Sequence, residues 1–229
     1  MKIKFIFILY FLSVKIVAQD TINFVFLPKI NEENLQLLKA YEWSKDTIEI
    51  SQLKFYISDI SLYQRDSLVH MLKKKYHLFD LSKKSTFQII EKLNENVNFD
   101  NVKFKIGVDS LTHISGAMEG DLDPTNGMYW TWQSGYINFK LEGTSSISPA
   151  RHHKFQWHIG GYQTPYNTIK EVTITTKDHS NMVPIEIHID VLFRAVDLSQ
   201  TYQIMSPNTR AMDIANLLPT VFKISVNEK

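Results

Sequence analysis

Leu53-Lys54-Phe55-Tyr56-Ile57-Ser58-Asp59-Ile60-Ser61-Leu62-Tyr63 decides the fold class. Polar and apolar side chains alternate along it, and β-branched and aromatic residues dominate. Those residue types suit a pleated surface that is buried on one side. A helix would instead repeat its apolar face every three and four residues. The same period of two recurs over residues 21–27, 77–81, 86–90, 101–108, 136–142, 154–159, 169–175, 185–191 and 220–226. Many short alternating strands separated by turn residues predict antiparallel sheets, each with one wet face. The expected fold is therefore all-β: an antiparallel β-sandwich, immunoglobulin-like, with one or two short helices. Residues 191–198 and 208–217 are the helical candidates, the second opened by Ser206-Pro207-Asn208.

Composition narrows the function classes. Hydrophobic residues make up 44% of the 229, which is ample for a packed core, and the net charge is +1. Basic residues form no stripe interleaved with aromatics, so nucleic acid is not an expected partner. Lys73-Lys74-Lys75 reads as a solvated turn. The absence of cysteine excludes disulfides, thiolate ligands and a thiol nucleophile. The N-terminus carries Lys2 and Lys4, then the apolar run Phe5 to Leu12, then Ile16-Val17-Ala18. That run falls short of the roughly 20 apolar residues of a spanning helix, and residues 1–18 are expected to be a signal peptide. A single domain over 19–229, periplasmic or secreted, follows.

No nucleophile elbow, zinc-protease helix, phosphate loop or dinucleotide fingerprint occurs. Asp80, Asp109, Asp121 and Asp123 match no calcium-loop spacing, and Asp121 and Asp123 read as turn formers. The loop over residues 116–127 is dense in Gly, Asp, Pro and Asn and long for a plain connection. It leads into Gly127-Met128-Tyr129-Trp130-Thr131-Trp132-Gln133-Ser134-Gly135-Tyr136. Trp130 and Trp132 are two apart, so in an extended chain they share a face, with Met128 beside them. Packing in the core is one reading of these residues. A soft-metal site is the other, since thioether and imidazole suit Cu(I). His158, between Trp157 and Ile159, faces either side of its strand. His152-His153 reads as a solvated pair.

Taken in order, these segments resemble the MbnP-like copper-binding domain family. The resemblance rests on Phe104-Lys105-Ile106-Gly107-Val108-Asp109, on the loop from Gly120 to Trp132, on Gly135-Tyr136 with Lys140-Leu141-Glu142-Gly143, and on Phe155-Gln156-Trp157-His158-Ile159-Gly160. Phe55-Tyr56-Ile57-Ser58-Asp59-Ile60 and Ile204-Met205-Ser206-Pro207 also fit. The resemblance implies an exported β-sandwich that binds copper, Cu(I) or Cu(II), and is not an enzyme. It implies a mononuclear site of histidine and a tryptophan oxidised to kynurenine by a dihaem peroxidase-like partner. By position, Trp130 is the residue to be modified and His158 the imidazole ligand. Trp132 stands where some relatives are expected to carry a second ligand histidine, so a further donor would come from Met128, His153 or His188. Two rival readings remain: a structural or interaction sandwich without metal, and a glycan or peptide binder using Tyr129, Tyr136 and Tyr162.

Overall fold

A computed structural model describes residues 21–44, 46–93, 97–132, 135–176 and 181–225. The expected signal segment, Gln133, Ser134, His179 and Val226 lie outside the described residues. Two sheets enclose one core. The smaller is ordered Phe222–Ile224, Met182–His188, Thr21–Ile30, Glu33–Asn34, with Gln88–Lys92 also paired to Thr21–Ile30. The larger is built on the long strand Asp46–Gln64 and runs Lys170–Thr175, Asn101–Ile106, Asp46–Gln64, Gly135–Ser145, Lys154–Gly160, Gln203–Ile204. An all-β sandwich is thus present. Its pairing is not wholly antiparallel: Thr21–Ile30 pairs parallel with Met182–His188, and Lys154–Gly160 with Gln203–Ile204.

Facing aromatics fill the space between the sheets. Phe26 of the small sheet meets Phe79 of the large one edge-on at 4.6 Å, and Phe79 stacks on Phe55 at 4.9 Å. Each such side chain, fully buried, stabilises by roughly 1.5–3 kcal/mol. In the deciding stretch the alternation changes phase at Ser58-Asp59. Asp59 adopts a positive φ of 53°, and the register against Asn101–Ile106 shifts between Ser58 and Ser61. A bulge of this kind moves every later side chain to the other face.

Among the described residues three short α-helices occur rather than one or two. Asn208 caps Thr209–Leu217 by accepting from the Ala211 N–H at 2.9 Å. The expected 191–198 helix spans Asp190–Ala195, because the strand before it stops at His188. Ser110–Ser115, between the expected strand and loop, is a helix capped by Asp109. Among the described residues no helix is long and apolar enough to cross a membrane.

Candidate functional site

Part of the outer face of the large sheet is covered. The segment from Asp109 to Trp132 lies over it and encloses a second, smaller apolar cluster of Tyr56, Leu78, Val108, Leu122, Met128, Trp130, Tyr136 and Ile137. Polar ties fasten the cover. The Tyr56 hydroxyl donates to the Asp121 carbonyl at 3.0 Å, and the Asp121 carboxylate accepts from the Leu78 N–H at 3.0 Å and pairs with Lys74 at 2.7 Å. Asp123 accepts from the Thr125 N–H, as a turn former does. The Tyr136 hydroxyl donates to the Gly116 carbonyl and accepts from the Met118 N–H, both at 3.1 Å.

Beside this cluster a polar row crosses four strands in register: Asp80 opposite Lys54, Lys54 opposite Lys140, Lys140 opposite His158. Two lysines side by side repel unless each is neutralised. Lys54 pairs with Asp80 at 3.1 Å and donates to the Asn126 carbonyl at 3.0 Å. Lys140 donates to the Gly127 carbonyl at 2.5 Å. The two ammonium groups thereby clamp the Asn126-Gly127 turn, where Gly127 takes the left-handed φ of 72° that glycine accepts freely. Burial lowers the Lys140 pKa. Burial also opposes ionisation of Asp80, but bonds from Ser82 and Lys54 hold its pKa below the usual value.

His158 ends this row and points outward, with its side chain nearly covered. Its Nε2 lies 2.6 Å from Glu142 Oε1. That bond is the main reason the Glu142 pKa is depressed. In the neutral ring it places the proton on Nε2 and leaves the Nδ1 lone pair as the free donor. Two residues further along the same face is Gly160. A Cβ there would meet Trp130 Cζ3 and the Tyr136 carbonyl, each at 2.7 Å. The six-membered ring of Trp130 therefore rests on Gly160. Trp130 Nε1 is buried and has no hydrogen-bond partner.

The proposed ligands separate accordingly. Trp130 rests on Gly160, two residues along the strand from His158. Met128 is fully buried in the apolar cluster. Trp132 does not share a face with Trp130, because the strand Tyr129–Trp130 ends there and the chain turns; Trp132 is 65% exposed, its ring centroid 5.8 Å from that of Trp130. His153 and His188 lie elsewhere: His153 bonds the Ser148 carbonyl, and His188 belongs to the small sheet. Tyr136 is buried, with Tyr129 edge-on to it at 5.0 Å, and Tyr162 stacks on His113 at 4.5 Å. The three tyrosines form no open platform.

The sequence reading passed over His113. It is 2% exposed and lines a crevice with Trp130, Gly135, Tyr162 and Pro207. Its Nδ1 accepts from the Tyr136 N–H at 3.0 Å. Burial lowers its pKa to about 4, although the Asn138 amide and the Val108 carbonyl favour the charged ring. Nε2 carries the proton in that tautomer and has no hydrogen bond of good geometry. Glu142 and Lys140 were also passed over as site residues. Alternation puts both on the outer face, but their neighbours across the strands are set by register, which one chain does not reveal.

Among the described residues, no group of three or more His, Asp or Glu side chains is placed to hold a metal ion. The Nδ1 lone pair of His158 fits a soft ion of low coordination, whereas the Trp130 N–H has no lone pair and would have to be oxidised to supply a donor. One imidazole is oriented by a carboxylate, as metal-bound histidines usually are. Gly160, two residues on, seats the six-membered ring of Trp130, whose buried N–H has no acceptor.

The MbnP family model matches residues 19–207. Among solved structures, MbnP from Methylosinus trichosporium aligns with a TM-score of 0.60, covering 80% of each chain at 11% identity, a likeness of fold. No curated protein matches. The family match takes in the core strands, the clamped Asn126-Gly127 turn, Trp130 and the His158 strand together, and on that extent the chain belongs to the MbnP family.

Proposed function

We propose that this chain is an exported copper-binding protein, not an enzyme, whose Cu(I) is held at His158 beside Trp130. One observation carries the reading: an imidazole with its Nε2 fixed by Glu142 at 2.6 Å lies two residues along its strand from Gly160, on which rests an indole whose buried N–H has no acceptor. Imidazole suits copper, and a soft monovalent ion accepts donors that a harder ion would refuse. Lys140, opposite His158, penalises a doubly charged ion more than a singly charged one. Trp130 is the residue that a dihaem peroxidase-like partner would convert to kynurenine, a change that gains one oxygen and loses one carbon. Met128 packs the cover, and Trp132 marks the mouth of the site.

Competition for Cu(I) against a coloured chelator tests this, with protein taken from its native source so that any modification is kept. Wild type is expected to take up one equivalent. His158→Ala should lose it, and Glu142→Gln should weaken it by about 10–100-fold. Intact mass of the same sample reads the oxidation of Trp130. If the native protein takes no copper, or if His158→Ala binds as wild type does, the metal-free interaction sandwich replaces this reading.

A further inference from the structure

A cavity that shares no residue with the copper site is lined by a buried charge without a counter-charge. Its volume is about 420 Å³, and it lies between the hairpin of Ala40–Trp43 with Asp46–Gln64 and the helix Asp190–Ala195. Sites for small molecules run from roughly 300 to 1,000 Å³. Trp43, Ile48, Ile147, Phe193 and Leu198 give it a largely apolar wall. The core holds that wall in place: Phe193 is edge-on to Trp43 at 6.3 Å and to Phe155 at 5.6 Å. Ile147 is 46% exposed and Trp43 is half-buried, so the apolar surface is open to a ligand.

Asp46 stands opposite Trp43 in the hairpin and is 7% exposed. Its carboxylate ties two strand ends together, accepting from the hydroxyls of Ser145 and Ser146 and from the Thr47 N–H at 2.7 Å. Burial opposes its ionisation, but these bonds hold its pKa below the usual value. The donors are neutral, and among the described residues no cation pairs with Asp46. A buried charge is ordinarily paired. Arg194, the cation among the described lining residues, is already engaged. It donates to Asp190 Oδ2 at 2.5 Å, and its guanidinium carbon lies 5.6 Å from the centre of the Trp43 ring. The exposed Asp197 adds a second carboxylate at the rim; its Oδ1 accepts from the Ser199 N–H at 2.8 Å, and Oδ2 has no donor among the described residues. Two carboxylates therefore line the cavity beside one guanidinium that a third carboxylate neutralises.

We propose that this cavity binds a small organic ammonium ion, its charge beside Asp46 and Asp197 and its apolar body against Trp43, Phe193 and Ile147. A neutral apolar ligand would leave Asp46 uncompensated, and a carboxylate ligand would add a further negative charge. An ammonium group brings a compact positive charge and N–H donors, one of which Asp197 Oδ2 is placed to accept. The aromatic wall suits it as well, since a ring face attracts a cation, as Arg194 over Trp43 already shows. The apolar wall selects an amine that carries a ring or a short chain, whose burial adds the hydrophobic term that ammonia itself lacks.

Calorimetric titration of the mature protein with phenethylamine, with phenethyl alcohol and with hydrocinnamate tests the cavity. The amine is expected to bind at one site, about tenfold or more tighter than the alcohol of the same shape, and to weaken as salt is raised. The acid should not bind. Trp43→Ala should weaken the amine about tenfold through lost apolar contact. Asp197→Asn should weaken it roughly threefold, and Asp46→Asn should reduce it to the affinity of the alcohol. His158→Ala should leave amine binding unchanged, which keeps this proposal separate from the copper reading. Should Asp46→Asn fail to fold, the exposed Asp197→Asn variant and the ratio of amine to alcohol decide. Equal affinity for amine and alcohol, tighter binding of the acid, or an amine affinity that no carboxylate variant alters overturns the proposal and leaves Asp46 as a tie between strand ends.

Discussion

Trp157 and Trp130 lie on opposite faces of the large sheet and meet the same requirement differently. A buried indole brings a large apolar surface and one N–H that needs an acceptor. Trp157 is fully buried against Phe155 and Phe193, with ring centroids 5.6 and 5.8 Å away, and its N–H donates to the Thr201 carbonyl at 2.7 Å. Trp130 is buried almost as deeply, yet its N–H has no acceptor. Burial alone does not tell a core tryptophan from a functional one. The hydrogen-bond inventory does, because an unsatisfied buried donor costs about 1–3 kcal/mol that a purely structural residue has no reason to retain.

The largest effect belongs to the inner face. Trp157→Ala removes the ring from the main core and frees the Thr201 carbonyl, and it should cost about 3–5 kcal/mol in urea unfolding. Copper uptake by the fraction that still folds should be unchanged. If instead the loss is under about 1 kcal/mol, the inner face is not the packed core that its burial indicates.

Acid should separate the two faces. His113, on the outer side, is held neutral, with its pKa lowered by burial from 6.5 to about 4. The unfolded chain binds the proton first, so the contribution is complete above about pH 6.5 and is lost as pH falls towards 4. The shift corresponds to about 3 kcal/mol. Asp80 and Glu142, whose folded pKa values are depressed, add stability that is present above their unfolded values and lost only at lower pH. Chemical unfolding from pH 7 to pH 4.5 should therefore show a decline that His113→Gln flattens. Amides of residues 110–130 should exchange before those of the Phe55–Phe79 core. A decline of equal slope in His113→Gln would remove His113 as its cause.

The inner face was the legible one. Strands are visible in sequence because Phe55, Phe139 and Ile159 alternate with polar neighbours, and period-two patterning needs no knowledge of partners. The parallel pairing of Thr21–Ile30 with Met182–His188 was not visible, because strands so far apart in sequence carry no mark of which neighbour each will take. The outer site was half legible. Trp130 and His158 came from the resemblance, whereas Glu142 and Lys140 depend on cross-strand register and His113 on how a short helix packs. Trp132 was placed beside Trp130 by assuming an extended chain, and the turn after Trp130 removes that assumption.

The smallest expected change in stability is the most discriminating. Trp130→Phe keeps an aromatic ring over Gly160 and deletes the orphaned N–H. The lost ring volume destabilises, while removing an unsatisfied buried donor stabilises by about 1–3 kcal/mol, so the two terms should nearly cancel. Unfolding in urea is expected to stay within about 1 kcal/mol of wild type. Cu(I) uptake should nevertheless fall, because a phenyl ring cannot be converted to kynurenine. The opposite outcome, a core-like loss of stability with copper uptake intact, would place Trp130 in the same class as Trp157. The unpaired nitrogen would then be a packing defect of the cover rather than the mark of a site.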